Sequence, residues 1–180
     1  MRTKATTRLT MAALLCALCA VLSQIQIPIP PVPISLSLLA VHLCGALLGS
    51  RWGAAAICCY LALGAAGLPV FAGFAGGVSV LFGPTGGFLF GYVLCAWIIG
   101  VLTCRFGFSR RSLFPAMALG TLACYALGAA WFMLVSGSSL SAALTACVLP
   151  FIPGDMLKIV LAVTLCLRLE KPLRAAGLCV

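Results

Sequence analysis

One carboxylate and one amine stand close together in an otherwise apolar stretch near the end of the chain. Asp155 and Lys158 are the only acidic residue and the only lysine within the apolar body, because the other acidic residue, Glu170, lies in a basic tail. At a spacing of three residues, both side chains project from one face of a helix. A charged side chain at the centre of a bilayer costs at least about 2.5 kcal/mol, so such residues are functional candidates by default. Three roles are open: binding a ligand, acting as an acid and base, or locking two helices as an ion pair.

The composition indicates an all-α integral membrane protein. The 180 residues are 64% hydrophobic and 7% charged, and the mean hydropathy is +1.25. A soluble domain carries about 25% charged residues, so this chain cannot cover itself with polar groups. A membrane-spanning helix needs about 20 apolar residues. Six such helices with short connections use most of the chain, which predicts a single transmembrane domain over residues 1–180.

The six transmembrane helices are predicted at about residues 9–27, 34–49, 54–72, 84–104, 113–135 and 147–169. Proline and glycine punctuate the breaks between them. Two breaks, residues 28–33 and 67–77, are apolar but too rich in proline or glycine for a straight helix. Irregular backbone at membrane depth is tolerated only against protein or a cavity, so a cavity is predicted beside them.

The start of the last helix bears directly on the charged pair. Proline is favoured at the first position of a helix, so the regular part of the last helix is predicted to begin near Pro153. Asp155 then falls in the first turn, where the helix dipole favours a carboxylate. Lys158 follows one turn deeper.

The basic residues predict the orientation. Ten of the eleven precede the first helix or follow the second, fourth and sixth, and the eleventh is Lys158. By the positive-inside rule, both termini are cytoplasmic, and the pair lies in the exterior half of a multi-pass protein of the plasma membrane. Because the net charge of +9 is spread between apolar runs, it does not indicate nucleic-acid binding.

Several chemistries find little support. Most of the eleven cysteines lie within apolar runs, where they act as small hydrophobes, so no metal site or cofactor is predicted. The chain has no GxxxxGK[ST] phosphate loop, so uphill transport would draw its energy from a partner or an ion gradient. An intramembrane enzyme with Asp155 as base and Lys158 as acid on a lipid-like substrate remains the alternative. The chain is not predicted to be an enzyme, and no catalytic residue is assigned.

Further polar and small residues are candidates with a second interpretation. The other candidate ligand-binding residues are Ser35, Ser37, Thr85 and Gly86. The serines and the threonine are equally typical of helix caps. Ala13 and Ala17 form a small-xxx-small row that permits close helix approach, within the protein or with a partner. His42 is predicted to pack between helices.

Four segments resemble the BioY family, the biotin-binding S components of energy-coupling-factor (ECF) transporters. They are PVPISL at 31–36, GAAGLPVF at 64–71, GPTGGFL at 83–89 and PGDMLK at 153–158. Their order and spacing are similar over nearly the whole chain. The resemblance implies a six-helix S-component bundle that captures biotin from outside and is energised by a separate module.

The resemblance also implies roles for individual residues. Asp155 and Lys158 would contact biotin, with Asp155 accepting hydrogen bonds from the ureido N–H groups. Ala13 and Ala17 would dock a transmembrane coupling subunit driven by two ATPases. The loop after the first helix would act as a lid, through Pro28, Pro30, Pro31 and Pro33. One departure affects the pocket: Ser35-Leu36-Ser37 stands where the family usually has Thr-Leu-Gln.

Overall fold

The structure, a computed structural model, describes residues 4–28 and 32–175 and is mostly helical there. Its helices are α1 (Lys4–Gln24), α2 (Ser37–Ala65), α3 (Val78–Phe82), α4 (Gly86–Phe106), α5 (Arg110–Ser136), α6 (Leu140–Cys147) and α7 (Ile152–Ala175). Two short strands, β1 (Gln26–Ile27) and β2 (Ile34–Ser35), pair in antiparallel orientation between α1 and α2. A 3₁₀ turn at Ala72–Phe74 lies between α2 and α3.

The long helices have the length and hydropathy of membrane spans. Within the described residues, α1, α2, α4 and α5 each meet this test, and α6 with α7 would make a fifth span, bent by 53°. The predicted helical membrane protein is confirmed at this level.

Helix α2 folds back on itself at Gly49. This residue has a φ of 77°, a conformation that glycine adopts without steric cost. A Cβ placed on Gly53 would lie 3.1 Å from the Cα of Gly45, whereas an uninterrupted helix would separate these residues by about 12 Å. Two arms, residues 37–48 and 50–65, therefore form a hairpin, at the break predicted between the second and third helices.

Helix α4 lies against both α2 and α5. Its close approach to the α2 hairpin depends on Gly100, where a Cβ would lie 2.2 Å from the backbone nitrogen of Ser50. Gly45 on α2 also permits this close approach, because a Cβ there would lie 2.6 Å from the carbonyl oxygen of Ala96 on α4. Backbone therefore packs directly on backbone at the centre of the bundle.

Several predicted boundaries were wrong. The helix predicted over 54–72 ends at Ala65, because Gly67 turns the chain with a φ of 97° and Pro69 follows. The one predicted over 147–169 begins at Ile152, close to the start expected near Pro153, and residues 140–147 form the separate helix α6. Residues 26–27, predicted as the end of the first helix, form strand β1. Residues 34–35, predicted as the start of the second helix, form strand β2.

Candidate functional site

The charged pair at the start of α7 is buried and joined. Lys158 Nζ donates to Asp155 Oδ1 at 2.6 Å, and the two residues are 6% and 5% exposed. Asp155 lies in the first turn of α7, as the position of Pro153 predicted. The two side chains therefore share one helix face, which the spacing in the sequence had indicated.

A third residue completes the pair. The hydroxyl of Tyr125, on α5, donates to Asp155 Oδ2, so each carboxylate oxygen has a donor. Sequence reasoning missed this contact because the two residues are 30 positions apart on different helices. The available signal was chemical: a buried tyrosine hydroxyl usually has a partner, and a carboxylate in an apolar body needs donors.

The pair faces a cavity with two parts. The larger part has a volume of about 210 Å³ and the smaller about 40 Å³. Both are lined by Val32, Pro33, Ser35, Phe88 and Tyr92. Asp155, Lys158 and Tyr125 line the smaller part. The predicted cavity is therefore present, and the charged pair lies at one end of it.

The two irregular segments form walls of this cavity. Val32 and Pro33 belong to the proline-rich loop, and Phe71, Ala72 and Ala75 belong to the glycine-rich loop. The β1–β2 pairing, Gln26 with Ser35 and Ile27 with Ile34, closes the base of the proline-rich loop. Among the predicted lid residues, Pro33 lines the cavity and Pro28 is exposed, while Pro30 and Pro31 lie outside the described residues.

A chain of hydroxyl groups crosses one wall. The hydroxyl oxygens of Ser35 and Ser37 are 2.5 Å apart, and that of Ser37 is 2.9 Å from the Tyr92 hydroxyl. Neither serine caps α2, whose N-cap is Leu36 without a side-chain bond. These hydroxyls provide polar contacts to an otherwise apolar wall, and Tyr92 was not among the predicted site residues.

Thr85 and Gly86 differ in their placement. Thr85 lines the larger part of the cavity, and although it is the N-cap of α4, its side chain makes no capping bond. Gly86 is buried and lies outside both lining sets. A Cβ there would lie 1.8 Å from the carbonyl oxygen of Leu81, so the structure gives Gly86 a packing role.

The small-residue row of α1 lies apart from the cavity. Ala13 and Ala17 are exposed and line a separate apolar groove of about 300 Å³ between α1 and the second arm of α2. Trp52 and Ala55 form part of its opposite wall. The groove therefore offers a close-approach surface at the side of the bundle.

His42 packs between helices, as predicted. It is fully buried, and its Nε2 lies 2.9 Å from the hydroxyl oxygen of Thr121 on α5.

Tyr125→Phe should lower the stability of the unliganded protein by about 1–3 kcal/mol, because Asp155 Oδ2 loses its donor while remaining buried. Thermal unfolding in detergent measures the effect. Thr164→Val is the matched control, since that hydroxyl donates only to the carbonyl of Val160 in its own helix. An unchanged melting temperature in Tyr125→Phe would show that the tyrosine does not support the carboxylate.

Known proteins resemble this chain in sequence and in structure. The model of the BioY family matches residues 1–175. A protein from Thermotoga maritima described as biotin transporter BioY is 39% identical over 165 residues, covering 91% of this chain and 96% of that protein. Biotin transporter BioY2 of Lactococcus lactis is 36% identical over 165 residues, covering 92% and 91%.

A solved structure agrees with them. It is the crystal structure of the S component for biotin from an ECF-type ABC transporter, which superposes with a TM-score of 0.88 at 31% identity and covers 95% of both chains. The range matched by the family model includes the residues of the cavity and the charged pair. The chain belongs to the BioY family.

Proposed function

We propose that this protein is a substrate-capture subunit that binds biotin for uptake and depends on a separate coupling module for energy. The observation that carries the proposal is the buried Asp155–Lys158 pair at the end of a cavity walled by two irregular loops. Relatives named as biotin transporters and a biotin S component of the same fold support the choice of ligand. Because the family is one of transporters, the intramembrane enzyme is not supported.

The chemistry of biotin suits the cavity. Its ureido group carries two N–H donors and one carbonyl acceptor, so it can satisfy a carboxylate and an ammonium together. Each oxygen of Asp155 has accepting capacity beyond its present bond, and Lys158 has two further N–H donors. We assign the ureido ring to this pair and the fused, apolar sulfur-containing ring to the wall that includes Phe71 and Phe88.

The chain crosses the membrane six times in this proposal, with both termini in the cytoplasm. The hairpin at Gly49 supports two crossings within α2, and the bent α6–α7 pair supports the last. Arg51 lies just after the tip of the α2 hairpin. That tip contacts Gly100, which lies in the same half of α4 as Arg105. Basic residues thus gather at the end opposite the cavity, which favours a single transmembrane domain of the plasma membrane with an outward-facing site.

The partners proposed are a transmembrane coupling subunit and two ATPase subunits. Ala13 and Ala17 present small side chains on an exposed face of α1, where another helix can approach closely in lipid. The groove beside them is apolar and separate from the ligand cavity. Docking at α1 therefore leaves the cavity unobstructed.

Ala13→Trp or Ala17→Trp should spare biotin binding and abolish co-purification with a coupling subunit, because the larger side chain prevents close helix approach. Pull-down from cells that co-express an ECF module measures the second effect. Leu122→Trp, at an exposed position of α5, is the control and should co-purify normally. Co-purification of both alanine variants would remove the docking assignment.

Uptake in cells tests the proposed function as a whole. A biotin-auxotrophic host that lacks its own biotin transporter should accumulate labelled biotin at trace concentration when it expresses this chain together with an ECF module. The module alone is the control. No uptake above that control would contradict the proposal.

A further inference from the structure

The glycine-rich loop is held closed by side chains from the end of α1. We call residues 68–75 the strap, because they cross the end of α1 and form one wall of the larger cavity through Phe71, Ala72 and Ala75. The Phe71 ring is 1% exposed and packs edge-on against Tyr60, with ring centres 5.5 Å apart. A displaced strap would therefore open the cavity.

Gln24, the last residue of α1, binds the strap at three points. Its Oε1 accepts from the backbone N–H of Phe74 at 2.8 Å. Its Nε2 donates to the carbonyl oxygen of Phe71 at 3.1 Å and to that of Pro69 at 3.4 Å. The side-chain amide thus pairs with the strap backbone much as a neighbouring strand would. Within α1, its Nε2 also donates to the carbonyl oxygen of Ala20 and to the hydroxyl oxygen of Ser23.

A second point of attachment lies beside it. The hydroxyl of Ser23 donates to the carbonyl oxygen of Val70 at 2.5 Å, and the Tyr60 hydroxyl donates to the same oxygen at 3.1 Å. Three side chains therefore hold three successive carbonyls of the strap, those of Pro69, Val70 and Phe71.

The strap conformation is strained where Gln24 holds it. Phe74 has a φ of 57°, and it is the one non-glycine residue with positive φ within the described residues. A bulky residue rarely adopts this conformation, and it persists only where surrounding contacts impose it. Phe74 is 71% exposed, so packing of its side chain does not explain the backbone conformation. Two hydrogen bonds impose it: the N–H of Phe74 donates to Gln24 Oε1, and the N–H of Phe71 donates to the carbonyl oxygen of Ala75 at 3.0 Å, which closes the turn around Phe74.

We propose that Gln24 is a positioning residue that keeps the strap over the bound ligand and thereby sets how slowly biotin leaves. This inference rests on the proposed function and extends it to a residue that does not line the cavity. When Gln24 releases Phe71 and Phe74, the strained strap relaxes and the wall at Phe71 opens.

Gln24→Leu should raise the dissociation rate of labelled biotin about tenfold, because the hydrogen bonds from Gln24 to Pro69, Phe71 and Phe74 that hold the strap are lost. The association rate should change little. In the unliganded protein, hydrogen–deuterium exchange should show faster exchange of the Phe74 amide. Thr10→Val, which removes a hydroxyl on α1 that donates only to Thr6, is the control and should match the parent in both measurements.

Phe74→Gly provides the decisive second variant. Glycine adopts a positive φ without strain, so the strap should stay closed without Gln24. Gln24→Leu with Phe74→Gly should therefore dissociate more slowly than Gln24→Leu alone, an effect that a purely structural role of Gln24 would not give. If Gln24→Leu does not fold, Gln24→Glu takes its place, because it keeps the acceptor for the N–H of Phe74. Biotin should then dissociate faster than from the parent, but by less than the roughly tenfold expected for Gln24→Leu.

A parental dissociation rate in Gln24→Leu, unchanged exchange at Phe74, or the absence of rescue by Phe74→Gly would each overturn the inference. The two proposals fail separately. If the parent binds no biotin, the proposed function is wrong, whereas the exchange measurement on residues 68–75 still decides whether Gln24 holds the strap.

Discussion

Asp155→Asn combined with Lys158→Met should give a protein about as stable as the parent that binds biotin at least about 100-fold more weakly. Breaking a buried ion pair by removing one partner costs about 3–5 kcal/mol, whereas replacing both partners by neutral groups is often close to neutral. The amide oxygen of the introduced asparagine would still accept from the Tyr125 hydroxyl. Each hydrogen bond between a ligand and a charged group contributes about 1.5–3 kcal/mol, and the double variant loses such bonds at both residues.

The single variants complete the comparison. Asp155→Asn leaves the Lys158 ammonium buried without its carboxylate, and Lys158→Met leaves Asp155 with Tyr125 alone. Both should melt at lower temperature than the double variant, and both should bind biotin weakly. A double variant that is stable and binds biotin with parental affinity would show that the pair only locks the helices, which is the structural role considered from the sequence.

Gly100→Ala should abolish a stably folded protein. A Cβ at this position would lie 2.2 Å from the nitrogen of Ser50 and 2.4 Å from the carbonyl carbon of Gly49, and neither backbone atom can move aside without opening the α2 hairpin. We expect a loss of about 3 kcal/mol or more, because overpacking here forces two helices apart. Size-exclusion chromatography and thermal unfolding in detergent measure it.

Gly154→Ala is the matched control. Its Cβ would have only one neighbour, Ile34 Cγ2 at 4.0 Å, and the residue lies inside α7. Alanine is favoured over glycine in a helix by about 1 kcal/mol, so this variant should be as stable as the parent or slightly more stable. A normal elution profile and melting temperature for Gly100→Ala would contradict the proposed backbone contact between α4 and the hairpin.

The parts of the fold that local chemistry determines could be predicted from the sequence. The position of Pro153 and the spacing from Asp155 to Lys158 predicted the start of α7 and the shared face, because both depend on one turn of one helix. The proline-rich and glycine-rich segments predicted a cavity, because irregular apolar backbone must face protein or a cavity. Hydropathy located the long helices but not their ends.

The parts that depend on contacts between distant residues could not be predicted. Tyr125 reaches Asp155 from another helix, and Gln24 reaches Phe74 across 50 positions, so no local pattern records either contact. Helix α6 has eight residues, too few to span a membrane, and residues 140–146 lie in the gap between the predicted fifth and sixth helices. Gly86 was assigned to the ligand because it stands beside Thr85, but its backbone packs against Leu81.

Equilibrium binding of labelled biotin to the purified chain, without any coupling subunit, is the most direct test of biotin capture by this protein. We expect saturable binding of one biotin per chain in detergent, with binding displaced by unlabelled biotin. Binding that does not saturate, or that the double variant of Asp155 and Lys158 retains in full, would contradict it.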